Sequence, residues 1–377
     1  MSPEASILIG AHDAQRDVLA SRNDVGVVVI GRNEGERLVR CLRSILAAGT
    51  PAGRVVYVDS GSTDGSVEAA GALGTSVISL DMSMPFTAAR ARNRGLDALL
   101  AAVPEVSLVQ FIDGDCELEA GWLAAAAEAF AHSDALAALC GDLRERRPEA
   151  SVYNRLADME WKRPAGDVRH CGGIFAARCM AFRSVGGFDE RIAAGEEPEL
   201  CERLRAAGWK VQKTNVAMAT HDLAMTRFAQ WWTRAVRGGY GASKLTLFGP
   251  QSGRRIFRSQ VRSAVIWAAG VPMAGVAGGA FLLMLGQPTT GVAAAMASLT
   301  LLGLQSFRLA AGGARAGLST ADATCFGLLS MLAKFAAIQG LIQCLADHVS
   351  VTRRDIASPK LRRFDKPAAG TAGGERA

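Results

Sequence analysis

Asp113-Gly114-Asp115 sets two carboxylates on either side of a single glycine. At the end of a strand such a pair presents hard oxygen donors to a divalent cation, Mg²⁺ or Mn²⁺. A cation held there neutralises a diphosphate and stabilises it as a leaving group. The same tripeptide is a common turn, so its neighbours decide between the readings. It follows the apolar run Leu108-Val109-Gln110-Phe111-Ile112. Arg32-Asn33-Glu34 and Asp59-Ser60-Gly61-Ser62-Thr63-Asp64-Gly65 each follow an apolar run in the same way. Further on, Glu196 and Glu197 open a helical pattern, where acids are favoured in any case. His221 follows a strand-like stretch and stands beside Asp222, which can orient its ring.

The surrounding pattern alternates strands and helices. Strands are expected at 25–30, 54–58, 75–80, 107–112 and 135–140, and helices at 34–48, 66–73, 87–100 and 120–130. Strand–helix alternation implies βαβ units and a parallel sheet. The three polar clusters then lie together at the carboxyl ends of their strands, the edge where open α/β sheets bind ligands. Asp59 and Asp64 both suit turn formation or a helix N-cap, and Asp64 is expected to cap the following helix. No Walker-A, G-x-G-x-x-G or G-x-S-x-G pattern is present, which argues against P-loop ATPases, dinucleotide dehydrogenases and α/β-hydrolases.

In that order the segments resemble glycosyltransferase family 2. Val27-Val28-Val29-Ile30-Gly31-Arg32-Asn33-Glu34 resembles the family's opening strand, and Val58-Asp59-Ser60-Gly61-Ser62-Thr63-Asp64-Gly65-Ser66 its second motif. Ala91-Arg92-Asn93-Arg94-Gly95 is similar to the third, and Phe111-Ile112-Asp113-Gly114-Asp115 to the D-x-D. Gly186-Gly187-Phe188-Asp189-Glu190 and Gly195-Glu196-Glu197 follow, so the resemblance spans about residues 25–225. It implies a GT-A fold (α/β, Rossmann-like), a nucleotide-sugar donor and inversion at the anomeric carbon. On this resemblance Asn33 and Glu34 line the nucleotide pocket, Asp59 bonds base or ribose, and Arg92 lies near base or diphosphate. Asp113 contacts the ribose and the metal side, Asp115 binds the metal, and His221 completes the metal shell. Gly173, in Cys171-Gly172-Gly173, lets the sugar approach the backbone. The general base falls on Glu197, where the family usually has Asp, with Glu196 as the alternative. Trp161 is a sugar-stacking face or a core residue. Gln230-Trp231-Trp232-Thr233-Arg234 only approximates the motif of processive synthases, which favours non-processive transfer.

The rest of the chain points to a membrane. A formal net charge of +6 invites a nucleic-acid reading, but its distribution does not fit one. Between Leu223 and Ala321 there is no Asp or Glu, and eight of the ten Lys and Arg precede the first long apolar run. Such a collar is the positive-inside signature and attracts anionic headgroups. Residues 263–285 carry no charge and as a helix would rise about 34 Å, enough to cross a hydrocarbon core of about 30 Å. A turn at 286–290 leads to a second span at 291–309. Segment 322–348 is apolar but contains Lys334, which is costly at mid-bilayer, and a third crossing would place the basic tail outside. An in-plane amphipathic helix or one packed on the catalytic domain is therefore expected.

The domains expected are a lead-in (1–24), a GT-A catalytic domain (25–225), a basic interfacial segment (226–262), a transmembrane hairpin (263–311), the helix at 322–348 and a basic tail (349–377). Eight cysteines without a C-x-x-C pair read as reduced, mostly buried thiols. The combined expectation is a metal-dependent, inverting glycosyltransferase at the cytoplasmic face of an inner membrane. It would act on a lipid-linked or glycan acceptor in surface-polysaccharide synthesis. A non-catalytic membrane scaffold and a nucleotidyltransferase are the competing readings.

Overall fold

The computed structural model describes residues 24–84 and 86–349; the expected lead-in, apart from Asp24, and the tail beyond Val349 lie outside them. A continuous apolar run makes β1 (Val25–Gly31) fully buried along nearly its whole length, as a central parallel strand must be. It pairs in parallel with β2 (Val55–Asp59) and β4 (Leu108–Asp113), and β2 pairs with β3 (Ser76–Ser79). Helices α1 (Glu36–Ala47), α2 (Ser66–Ala72) and α3 (Ala88–Ala102) supply the crossovers. Leu38, Cys41, Leu42 and Ile45 form the buried stripe of α1 at helical spacing. Helix α3 lies against β1 and β2 at Gly95, where an added Cβ would meet Val58 Cγ2 at 2.9 Å and clash with Val28.

Beyond β4 the sheet departs from the expected parallel arrangement. The order is β3-β2-β1-β4-β8-β6-β9-β5, with β8 (Phe175–Arg178) antiparallel to both β4 and β6 (Leu136–Glu145). The sheet is therefore mixed. Strand β9 (Lys210–His221) runs parallel to β6 with register shifts, and short β5 (Cys116–Leu118) pairs antiparallel with its far end. Helices α4 (Trp122–Ala131), α5 (Val152–Trp161), α6 (Cys179–Ser184) and α7 (Glu196–Ala206) complete this half, and β7 (Gly166–Asp167) flanks β9. Phe111, Phe175, Phe182 and Phe188 join the halves, with ring centroids 5.2–6.3 Å apart.

After β9 the chain is helical: α8 (Phe228–Phe248), α9 (Arg258–Met284, with a π-turn at Val265–Gly270), α10 (Pro288–Arg315) and α11 (Thr320–Val349). The last three are long and apolar enough to cross a membrane. Pro288 opens α10, where its missing N–H costs nothing, so the turn is shorter than expected and Thr289 and Thr290 are helical. Helices α9 and α10 meet at Gly275 with Ser298 and at Gly279 with Gly291, small residues that let backbones approach.

Helix α11 packs on α10, where Gly327 lies against the backbone at Ser306 and Ala310, and on α8 and the start of α9. Asp322 near its start pairs with Arg155 of α5 at 2.6 Å, and Lys334 donates to Ser263 Oγ at 2.8 Å. Gln339 accepts from Trp232 at 2.8 Å, and Gly340 packs on the α8 backbone at Val236 and Tyr240. His348 at its end stacks on Phe248, with centroids 3.8 Å apart.

Candidate active site

The loops after β1 and β2 are tied to each other. Asn33, with a left-handed φ of 55° that Asn tolerates, accepts the Thr63 N–H at 2.7 Å and donates its own N–H to Ser62 Oγ at 2.9 Å. Glu34 is buried and pairs with Arg37 at 2.5 Å. Asp59 is buried too; its carboxylate accepts the Tyr57 hydroxyl at 3.0 Å and the N–H groups of Gly61 and Ser62 at 2.9 and 3.0 Å. A carboxylate has about four acceptor sites, so Asp59 builds the turn with three of them. Asp64 anchors α2 through the Ser66 N–H and hydroxyl at 3.1 and 2.6 Å, one position ahead of the cap, which is Gly65 at φ 82°.

Asp113 ends β4 and Asp115 precedes β5, so the tight link between the two strands sets both acids at one rim. The β5–β9 register places His221 opposite Cys116. Its Nε2 lies 3.3 Å from Asp115 Oδ1, while its ring stacks on Trp161 at 5.1 Å and 15°. Trp161 thus supports a candidate metal ligand. Asp222 does not orient the ring as expected: its carboxylate turns to Arg40 at 3.0 Å, and buried His221 Nδ1 has no hydrogen-bond partner among the described residues.

Asp115, Cys116 and His221 bring ligand atoms within 4.8 Å of one another. Burial and the charges of Asp115 and Asp113 push the Cys116 thiol well up, and it donates to Asp115 Oδ1 at 3.6 Å. Burial pulls the His221 imidazole down, but Asp115 and Asp113 outweigh it and the net direction is up. The local field therefore favours a cation. Carboxylate with imidazole suits Mn²⁺ better than a thiolate-rich zinc site. The residues fit a divalent ion.

Arg92, from α3, is the hinge between this rim and α7. Its guanidinium donates to Asp113 Oδ1 at 2.9 Å, Glu196 Oε1 at 2.7 Å and the Gly173 carbonyl at 3.1 Å. A Cβ on Gly173 would meet that guanidinium at 3.1 Å, so the space the glycine leaves is filled by Arg92. Glu196 is committed to this pairing. Glu197, the next residue, is buried at 2 % exposure. Its Oε1 accepts the Cys171 N–H at 2.7 Å and the Cys201 thiol at 2.9 Å. Its Oε2 has no hydrogen-bond partner among the described residues. Burial raises its carboxyl to about 7, against the opposing hydrogen bonds from Cys201, Cys171 and Gly172. A carboxylate balanced near neutrality with one free oxygen is what proton abstraction needs.

One participant, Cys201, was not singled out from the sequence. Cys201 holds Glu197 from one turn further along α7, a spacing at which helical side chains meet; that signal was present. Gln230 holds the N-terminus of α8 through the Thr226 and Arg227 N–H groups at 3.0 and 2.9 Å, a capping task unrelated to a synthase motif.

Residues 26–229 match the family described as Glycosyl transferase family 2. A pre-mycofactocin glycosyltransferase of Mycobacterium tuberculosis is 30% identical over 244 residues, which is 61% of this chain and 49% of that protein. The chain thus spans about half the length of that relative. Glycosyltransferase AglE of Haloferax volcanii is 23% identical over 62% of this chain and 77% of its own. Among solved structures, the mannosyltransferase PcManGT from Pyrobaculum calidifontis, in complex with GDP-Man and Mn²⁺, superposes with a TM-score of 0.54 at 18% identity, covering 86% of this chain and 87% of that one. The fold is therefore of the GT-A type.

Proposed function

The chain belongs to glycosyl transferase family 2, and we propose that it moves a sugar from a nucleoside-diphosphate donor to a hydroxyl of a membrane-associated, lipid-linked acceptor, with inversion (an EC 2.4-type reaction). The observation that carries this reading is Glu197: buried, oriented by two donors on one oxygen, and with the other oxygen free to accept. Glu197 takes the acceptor's proton as that oxygen bonds to the anomeric carbon and the bond to the diphosphate breaks. Attack from the side opposite the leaving group inverts the centre.

Asp115 and His221 would hold a divalent cation, which neutralises the departing diphosphate. Asn33, Glu34 and Asp59 shape the nucleotide pocket. Arg92 fixes Asp113 on the donor side and Glu196 beside the base, so that both halves keep one geometry.

The membrane acceptor is supported by the apolar hairpin α9–α10 and by Arg254, Arg255, Arg258 and Arg262 at its entrance. These basic residues favour the cytoplasmic side of an inner membrane. Helix α11 is read as lying along the membrane surface beneath the domain. At 30 residues it is about 45 Å long, and Asp322 near its start and Gln339 and His348 in its second half tie it to α5 and α8.

Calorimetry on detergent-purified protein with GDP, UDP, CDP and ADP, each with Mn²⁺, Mg²⁺ or chelator, tests the donor half. The nucleotide and metal bound by PcManGT are the first pair to try. One diphosphate should bind only with metal, and Asp115→Ala should abolish that binding. Folded protein that binds none of them would favour a non-catalytic scaffold.

A further inference from the structure

Behind the base lies a second group of metal-competent side chains. Cys171, Glu197 and Cys201 are all buried, and their ligand atoms lie within 4.8 Å of one another. Cys201 Sγ is 2.9 Å from Glu197 Oε1. Cys140, whose thiol donates to the Gln212 carbonyl at 3.8 Å, is a further buried sulfur on β6. The unpartnered, buried Glu197 Oε2 supplies a further donor among the described residues. Arg163 donates to the carbonyls of Cys171 and His170 at 2.9 and 3.0 Å, so a cation already stands beside the cluster. That charge offsets the negative charge two thiolates and a carboxylate would bring.

From this arrangement we infer that Cys171, Cys201 and Glu197 form a site for a thiophilic divalent cation of the Zn²⁺ class, separate from the Asp115–His221 rim. Two sulfurs and one carboxylate oxygen suit such an ion, whereas the rim offers oxygen and imidazole. Binding is a ligand exchange with no oxidant: each thiol loses its proton to solvent, and sulfur–metal bonds replace the S–H bonds. An ion so held occupies the carboxylate that otherwise accepts the substrate proton. The site is therefore inhibitory, a consequence that rests on Glu197 acting as the base.

The test uses the full chain in detergent with one equivalent of Zn²⁺. X-ray absorption at the zinc edge should show two sulfur neighbours at about 2.3 Å with oxygen at about 2.0–2.2 Å; a shell of oxygen and nitrogen alone overturns the site. Co²⁺ in place of Zn²⁺ should give a thiolate-to-metal charge-transfer band. That band should persist in Asp115→Ala and vanish in the Cys171→Ser/Cys201→Ser double variant. A band that survives the loss of both thiols overturns the assignment, and the wild-type absorption measurement stands whether or not the double variant folds. With saturating Mn²⁺, one equivalent of Zn²⁺ should lower turnover about 10²-fold or more, the contribution of a general base. A two-sulfur shell with undiminished turnover would keep the site and remove Glu197 from the base role.

Discussion

The two sides of the cleft are built by different means. On the donor side, parallel strands β1, β2 and β4 end together, and each loop carries its polar residues within a few positions of the strand that delivers them. Those loops stabilise one another through short local bonds such as Asn33 with Thr63. On the acceptor side, β8 and β9 arrive by irregular paths. Glu197 reaches its position because the Cys171 N–H, Cys201 and the α7 N-terminus converge on it. Asp113 and Asp115 keep partial exposure at the rim, where a cation could meet them, while Glu197 is buried and its pKa raised to about 7. Environment, more than residue type, gives two carboxylates two roles.

The sharpest way to break this contrast is Glu197→Gln. Turnover should fall by about 10²–10⁴-fold with metal-dependent nucleotide binding unchanged; an equal loss of nucleotide binding would show that the two sides are not separate. In the wild type, kcat/KM should rise through pH about 7 as Glu197 ionises, then level off. Cys201→Ala removes a hydrogen bond that holds this carboxyl down, so the rising limb should move to higher pH. A limb that stays in place would exclude the thiol from tuning the base.

Next in size is Arg92→Met. It leaves Asp113 and Glu196 without their shared cation, and breaking a buried pair costs about 3–5 kcal/mol. A markedly lower Tm is expected, measured beside Asp115→Ala, which removes no such clasp. Equal melting of the two variants would refute Arg92 as the joint between the halves. The smallest effect concerns α11. Single cysteines at Ala316 and Val349 should label from the same side of sealed vesicles, the side that exposes the catalytic domain. Labelling from opposite sides would make α11 a third crossing.

The placement of the β1, β2 and β4 loops was legible because it is local. Apolar runs followed by Arg32-Asn33-Glu34, Asp59 and Asp113-Gly114-Asp115 put polar residues at one sheet edge as soon as the strands are parallel. The hairpin was legible from length and lack of charge. The acceptor half was only partly so. Four residues from Phe175 to Arg178 have no period to read, which hid β8 and with it the antiparallel pairing. Asp222 looked like a partner for its neighbour His221, but β9 ends at His221 and the Asp222 carboxylate goes to Arg40 instead.

What the sequence determined on its own is therefore the set of candidate groups: two acids at a strand end, two at a helix start, one histidine, and an apolar hairpin behind a basic collar. Which acid is buried with a raised pKa and which is tethered was decided by the tertiary structure. Glu196 and Glu197 are adjacent and identical in type, yet Arg92 claims the first and burial raises the pKa of the second. A pKa depends on desolvation and on charges that arrive from distant segments, and neither is written in the spacing of two neighbouring glutamates.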